Sequence, residues 1–192
     1  MNFRELVAKN RSYRRFAQHH PVSMDDLVEL VALARLTPSA RNLQALRFAL
    51  VAEEAKCAEV FSTLGWAGYL PRWPGPAEGE RPTGYVVLCV DRELTGEDWG
   101  DQGIAAQTIM LGAVEMGYGG CILGSVNREK LSKILDMPEH HEILLVLALG
   151  VPAEHVVVEP LPEDGSIKYW RDEREVHHVP KRDLDELISV KY

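Results

Sequence analysis

Residues 101–124 read DQGIAAQTIMLGAVEMGYGGCILG, and this stretch decides the fold. After Asp101 no charge occurs until Glu115; Ile104, Ala105, Ile109, Met110, Leu111, Ala113 and Val114 fill the interval, and Met116 follows it. A helix that is apolar on nearly every face is expected in a protein interior. It stops at Gly117-Tyr118-Gly119-Gly120, where glycines permit backbone angles and close approaches that side chains forbid. Cys121-Ile122-Leu123-Gly124 follows as a short apolar segment. A buried helix that ends by presenting bare backbone can hold a flat ligand. The same letters also describe a core helix with an ordinary glycine stop.

The chain around this stretch has 192 residues, enough for one domain spanning 1–192 with a substantial core. Hydrophobic residues at 46% and charged residues at 26% give an ordinary globular balance, and the net charge of -8 argues against nucleic acid as a partner. Cys57, Cys89 and Cys121 are odd in number and lie in apolar contexts, which predicts reduced thiols rather than a disulfide framework. The first residues, MNFRELVAKNRSYRRF, lack the apolar centre of a signal peptide. The longest apolar run, 143–151, is about half of a membrane-spanning helix. The expectation is a soluble cytoplasmic protein with no membrane contact.

On the N-terminal side, residues 3–9 form a short predicted helix that breaks at Asn10. Arg11-Ser12-Tyr13-Arg14-Arg15-Phe16 then places three guanidinium groups and a hydroxyl within six positions. Guanidiniums make forked, charge-assisted hydrogen bonds to phosphate and similar anions, although a solvated basic loop has the same composition. Ser23 can cap a helix whose first turn holds Asp25 and Asp26 and whose apolar positions are Leu27, Leu30, Val31 and Ala34. Thr37-Pro38-Ser39-Ala40-Arg41-Asn42-Leu43-Gln44 follows, a polar loop suited to the donor and acceptor edge of a heteroaromatic ligand. A strand over 48–52 and an amphipathic helix over 53–64 come next.

Residues 65–84, GWAGYLPRWPGPAEGERPTG, are too rich in glycine and proline for regular structure, yet they carry Trp66, Tyr69, Leu70 and Trp73. Such a loop is either a lid or a packed surface excursion. Residues 85–91 and 143–151 read as buried strands, with a helix capped by Asn127 between them and a final helix over 183–188. Residues 153–170 read as an extended excursion, and Lys181-Arg182 forms a second basic cluster. The adjacent pairs His19-His20, His140-His141 and His177-His178 do not predict a metal site, because neighbouring side chains point apart on a strand and diverge on a helix. Neither a P-loop nor a nucleophile motif occurs, so any catalysis falls to a cofactor.

The ordered set Arg11 to Phe16, Pro38 to Gln44, Gly117 to Gly124 and Pro180-Lys181-Arg182 resembles the nitroreductase family of FMN-dependent oxidoreductases. The resemblance implies an α+β fold, with a mixed, mainly antiparallel sheet flanked by helices, and an intertwined homodimer with FMN at the subunit interface. By position it assigns Arg11 and Ser12 to the FMN phosphate or ribityl chain and Arg14 to the pyrimidine edge, with Tyr13 between them a further cofactor-binding residue. Pro38, Ser39, Ala40, Asn42 and Gln44 fall to the ring and ribityl chain. Backbone groups of Gly119, Gly120, Cys121, Ile122 and Leu123 would lie against the flavin near N5, with Gly124 also cofactor-binding, and Lys181 and Arg182 would return to the phosphate. Tyr69, Arg72 and Trp73 of the loop become the substrate contacts. No side chain is a catalytic residue, since the chemistry resides on FMN N5. Arg14 near N1 and C2=O would stabilise the reduced flavin's charge.

The activity so implied is transfer of hydride from NADH or NADPH, through FMN, to a small planar acceptor of the nitroaromatic or quinone type, by a ping-pong mechanism. Alternatives on the same resemblance are a non-catalytic FMN-binding or storage protein and a specialised flavin enzyme. Arg41 stands where the family often has a small residue, and Ala45-Leu46 where Pro-Trp is frequent.

Overall fold

The structure is a computed structural model that describes all residues, 1–192. The chain divides into two compact units, residues 1–66 with 75–153 and residues 67–74 with 154–192.

The first unit is built on a four-stranded antiparallel sheet in the order β1-β2-β4-β3, with β1 at Leu46–Val51, β2 at Gly84–Asp91, β3 at Gly119–Leu123 and β4 at His141–Gly150. Every residue of β2 is buried, which explains its unbroken apolar sequence: a strand covered on both faces has no reason to alternate. On one face Val86, Leu88, Leu147 and Leu149 pack against α2 (Met24–Arg35) and α4 (Asp101–Glu115). On the other, Tyr85, Val87, Val146 and Ala148 pack with Cys57 and Val60 of α3 (Glu54–Phe61) and Leu131 of α5 (Arg128–Ile134). The register of β2 against β4 shifts at Leu88/Cys89, and beyond the shift Asp91 stands opposite His141.

The helix ends follow their local chemistry. Asn2 and Glu5 form a capping box on α1 (Phe3–Lys9), and Ser23 and Asn127 accept from the backbone N–H groups of Asp26 and Lys130. At the end of α4, Gly117 takes a left-handed φ of 89°; its N–H donates to the Val114 carbonyl and that of Tyr118 to the Ala113 carbonyl. This is a Schellman stop. Tyr118 then donates its hydroxyl to Asp26 at 2.7 Å, joining the end of α4 to the start of α2. Burial raises the Tyr118 pKa to about 12, with the Asp26 hydrogen bond adding to it. The α4 helix itself departs from the expectation: one stripe, running through Ile104, Gln107 and Glu115, is exposed, so it is covered on one face and open on the other.

In the second unit β5 (Val156–Pro160) lies parallel to β7 (His177–Lys181), and the two-residue β6 (Trp170–Arg171) pairs antiparallel on the other side of β7. Residues 177–181 are therefore a strand rather than the approach to a helix, and α6 (Leu184–Leu187) is a single turn. No helix is long and apolar enough to cross a membrane.

Candidate functional site

The Arg11–Phe16 segment and the glycine-rich segment after α4 come together. Ser12 forms a parallel bridge with Gly120, and the Tyr13 N–H donates to the Gly120 carbonyl at 2.9 Å, so the basic segment runs along the outer edge of β3. Arg11 is fixed by donation from Nη2 to the Val7 carbonyl at 2.8 Å, while its Nε is buried with no hydrogen-bond partner. Arg14 donates from Nη1 to the Ser12 carbonyl at 3.2 Å, and Ser12 is exposed. The glycines serve packing here. A Cβ at Gly119 would lie 2.6 Å from the Tyr13 ring, and one at Gly120 would meet the Ala148 carbonyl oxygen and stand 2.8 Å from Leu149. Cys121 and Leu123 are buried, and Ile122 and Gly124 are exposed.

The Pro38–Gln44 loop sits at the far end of α2 and is tied to the first residue of α4. Asp101 accepts from the Ser39 hydroxyl at 2.7 Å and from the Ala40 N–H at 3.0 Å, and the Ser39 oxygen in turn accepts from the Gln44 N–H at 2.9 Å. Between these pins Arg41, Asn42 and Gln44 have φ values of 53°, 56° and 50°, three left-handed non-glycine residues within four positions. Such conformations persist only where the surroundings enforce them, and they concentrate at ligand sites. The Asn42 and Gln44 side chains are exposed. Beside them lies a cavity of about 450 Å³ whose walls include Val31, Pro38, Ser39, Gln44, Phe48 and Asp101, within the usual range of small-molecule sites. In the sequence Asp101 reads only as the start of a helix. Its partners are more than sixty positions away in the chain, so no local signal could have shown its role.

The two clusters do not meet within one chain's first unit. They sit at opposite ends of α4, about 21 Å apart along its axis.

The remaining candidates belong to the second unit. Tyr69 donates its N–H to the Tyr169 hydroxyl at 3.3 Å and packs ring against ring, and the Arg171 guanidinium lies 4.2 Å from the Trp73 ring centroid. The aromatic residues of 67–74 are thus folded onto the C-terminal segment, and Arg72 is exposed beside them. Lys181 ends β7 opposite Pro160, and Arg182 donates to Glu186 at 2.8 Å. The cysteines are all free and buried, as expected of reduced thiols; burial pushes Cys57 up to about 11 and Cys89 to about 12, so neither is a nucleophile at neutral pH.

A basic ledge on a sheet edge and a strained polar loop beside an apolar cavity are the two candidate features of this α+β domain. The sequence profile of the nitroreductase family matches residues 7–69 and 83–151, and the chain belongs to that family. It is 28% identical over 178 residues to a CR(VI) reductase of Pseudomonas sp. (strain G-1), covering 82% of this chain and 69% of that one. To an NADPH-flavin oxidoreductase of Vibrio harveyi it is 24% identical, with 98% and 81% covered. A crystal structure of a nitroreductase family protein from Clostridium difficile 630 superimposes with a TM-score of 0.70 at 19% identity, covering 100% of this chain and 99% of that one.

Proposed function

We propose that this protein is an FMN-dependent oxidoreductase that takes hydride from NADH or NADPH and reduces a small planar acceptor of the nitroaromatic or quinone type. The observation that supports it most is the Asp101-pinned loop. Three left-handed residues in a loop whose Ser39 and Gln44 line an apolar cavity amount to strain that core packing does not require. The donor set fits the cofactor: Arg11, Ser12 and Arg14 offer cationic and hydroxyl donors to a phosphate and to the negative edge of a reduced ring, while Asn42 and Gln44 offer both donors and acceptors to a pyrimidine. Bound FMN would accept and release the hydride.

The chain's own residues bind and orient. Charge-assisted hydrogen bonds from Arg11 and Ser12 would hold the phosphate, each contributing about 1.5–3 kcal/mol. Ser39, already engaged by Asp101 and the Gln44 N–H, serves to hold the loop's shape. The two half-sites argue for a homodimer. A two-fold axis across the exposed stripe of α4 would set the first turn of one copy's helix beside the last turn of its partner's, and so combine a loop from one chain with a ledge from the other. The exposed apolar residues Phe3, Val28 and Ile104 give that pairing something to bury.

The test is the visible spectrum of the purified protein, followed by anaerobic addition of NADH or NADPH. Flavin bands that bleach support a reductase. Bands that persist favour a non-catalytic flavin-binding protein, and a colourless preparation that FMN cannot restore refutes the proposal.

A further inference from the structure

Three side chains that the flavin reading leaves unused meet at one end of the four-stranded sheet. Asp91 is the last residue of β2, His141 is the first residue of β4, and the two are cross-strand partners whose side chains share a face. His140 precedes β4 in a turn, where the His141 N–H donates to the Pro138 carbonyl and the Arg92 N–H to the His140 carbonyl. That turn is why the rule for consecutive strand residues does not hold here. The His140 and His141 rings do not diverge; their centroids are 4.5 Å apart with planes at 74°. His141 Nε2 lies 3.9 Å from Asp91 Oδ2, and one ligating atom from each of the three residues falls within 4.8 Å of the others.

A tetrahedral zinc-class site has metal–ligand bonds of about 2.0–2.1 Å and therefore ligand atoms about 3.3 Å apart. The observed spacings, all within 4.8 Å, are up to about 1.5 Å wider than this, so the side chains must close on the ion. Asp91 and His141 are largely enclosed and supply fixed positions, whereas the His140 side chain is 37% exposed and can swing inward. The carboxylate is already oriented from behind. Oδ1 accepts from the Glu93 N–H at 3.1 Å and Oδ2 pairs with Arg47 Nη2 at 3.1 Å, which leaves each oxygen a lone pair for a metal. Glu93 Oε1 stands 4.0 Å from His140 Nδ1, where it can orient the ring or reach the ion itself. The Arg47 charge opposes a second cation, which limits the affinity without closing the site.

We propose that Asp91, His140 and His141 form a binding site for a divalent transition-metal ion of the zinc class. Two imidazoles and one carboxylate suit zinc, cobalt or nickel, and not the all-oxygen coordination of magnesium or calcium.

The experiment is calorimetric titration of Zn2+ into the tag-free holoprotein, with H140Q, H141Q and the paired control H19Q/H20Q. The expected result is one ion per chain, bound at least about tenfold more weakly by H140Q and by H141Q and unchanged in the control. His140 lies in a partly exposed turn, so H140Q tests the site without a core substitution. A wild-type protein that takes up no ion overturns the proposal, as does H140Q binding as tightly as wild type, or loss of binding in H19Q/H20Q.

Discussion

Replacing Asp101 with alanine removes both pins from the 39–44 loop at once. The carboxylate accepts from the Ser39 hydroxyl at 2.7 Å and the Ala40 N–H at 3.0 Å, and hydrogen bonds to a charged group contribute about 1.5–3 kcal/mol each. Asp101 is only partly buried, so the lower end applies and the pair contributes about 3 kcal/mol. Against this stands the left-handed backbone at Arg41, Asn42 and Gln44, which costs on the order of 1 kcal/mol per residue. The two sums are comparable. The consequence is specific: D101A should lower global stability by no more than about 1–2 kcal/mol, partly through loss of an anion in the first turn of α4, while the loop relaxes locally. Amide hydrogen exchange reads this directly. The Ala40 and Gln44 amides, protected in the native loop, should exchange freely in D101A, while amides of β2 remain protected. FMN affinity should fall with the loop. Unchanged protection at Ala40 and Gln44 in D101A would refute the reasoning, whatever happens to activity.

Two further outcomes follow from the same structure. Gly120→Ala forces a methyl group onto the Ala148 carbonyl oxygen and Leu149, and should cost about 1–3 kcal/mol in urea unfolding. Gly124→Ala, with nothing within 4 Å of the new methyl group, should stay within about 0.5 kcal/mol; equal losses at both positions would contradict the packing assigned to β3. In the second unit, His178 Nδ1 sits 2.9 Å from Glu159 and Nε2 3.5 Å from Asp172, with the ring stacked on Trp170 at 4.0 Å. The Glu159 hydrogen bond is the largest influence on the imidazole and raises its pKa; burial works the other way, and Asp172 adds to the rise. A raised folded-state pKa stabilises fully below the unfolded value of about 6.5, and that contribution is lost as pH climbs through the folded value. The second unit should therefore loosen on the alkaline side. The His178 ring proton should titrate above the ordinary histidine range by NMR, and H178Q should abolish the pH dependence; a ring titrating at or below that range excludes it.

The fold was legible wherever its cause is local. Ser23 and Asn127 marked helix starts because a side-chain oxygen beside an open N–H is a short-range event, and 143–151 announced a central strand because both of its faces are covered. The β7 strand was not legible. Its letters, HHVPK, have neither alternation nor an apolar run, and Pro180 argues against a strand. It forms because Val156–Pro160 offers a parallel partner and Trp170 stacks on His178, partners that only the folded chain supplies. The His140-His141 pair fails for a related reason. The rule that neighbours diverge assumes a regular element, and this pair straddles the junction of a turn and a strand.

The candidate site divides along the same line. Groups suited to a ligand carry their chemistry in their own side chains, so Arg11, Asn42 and Gln44, proposed here as ligand contacts, stand out in the sequence by type and spacing. Residues that shape the site have no such signature. Asp101 looks like any helix-start aspartate, yet its two acceptor contacts keep Arg41, Asn42 and Gln44 in left-handed conformations. Gly120 reads in sequence as bare backbone open to close approach, and in the fold the pressure against a side chain there comes from Ala148 and Leu149 in the sheet. A sequence therefore exposes functional groups more readily than the supports that hold them. In this protein the supports are open to a sharper test: loss of a ligand-touching group should weaken binding without altering loop protection, whereas loss of Asp101 should alter both.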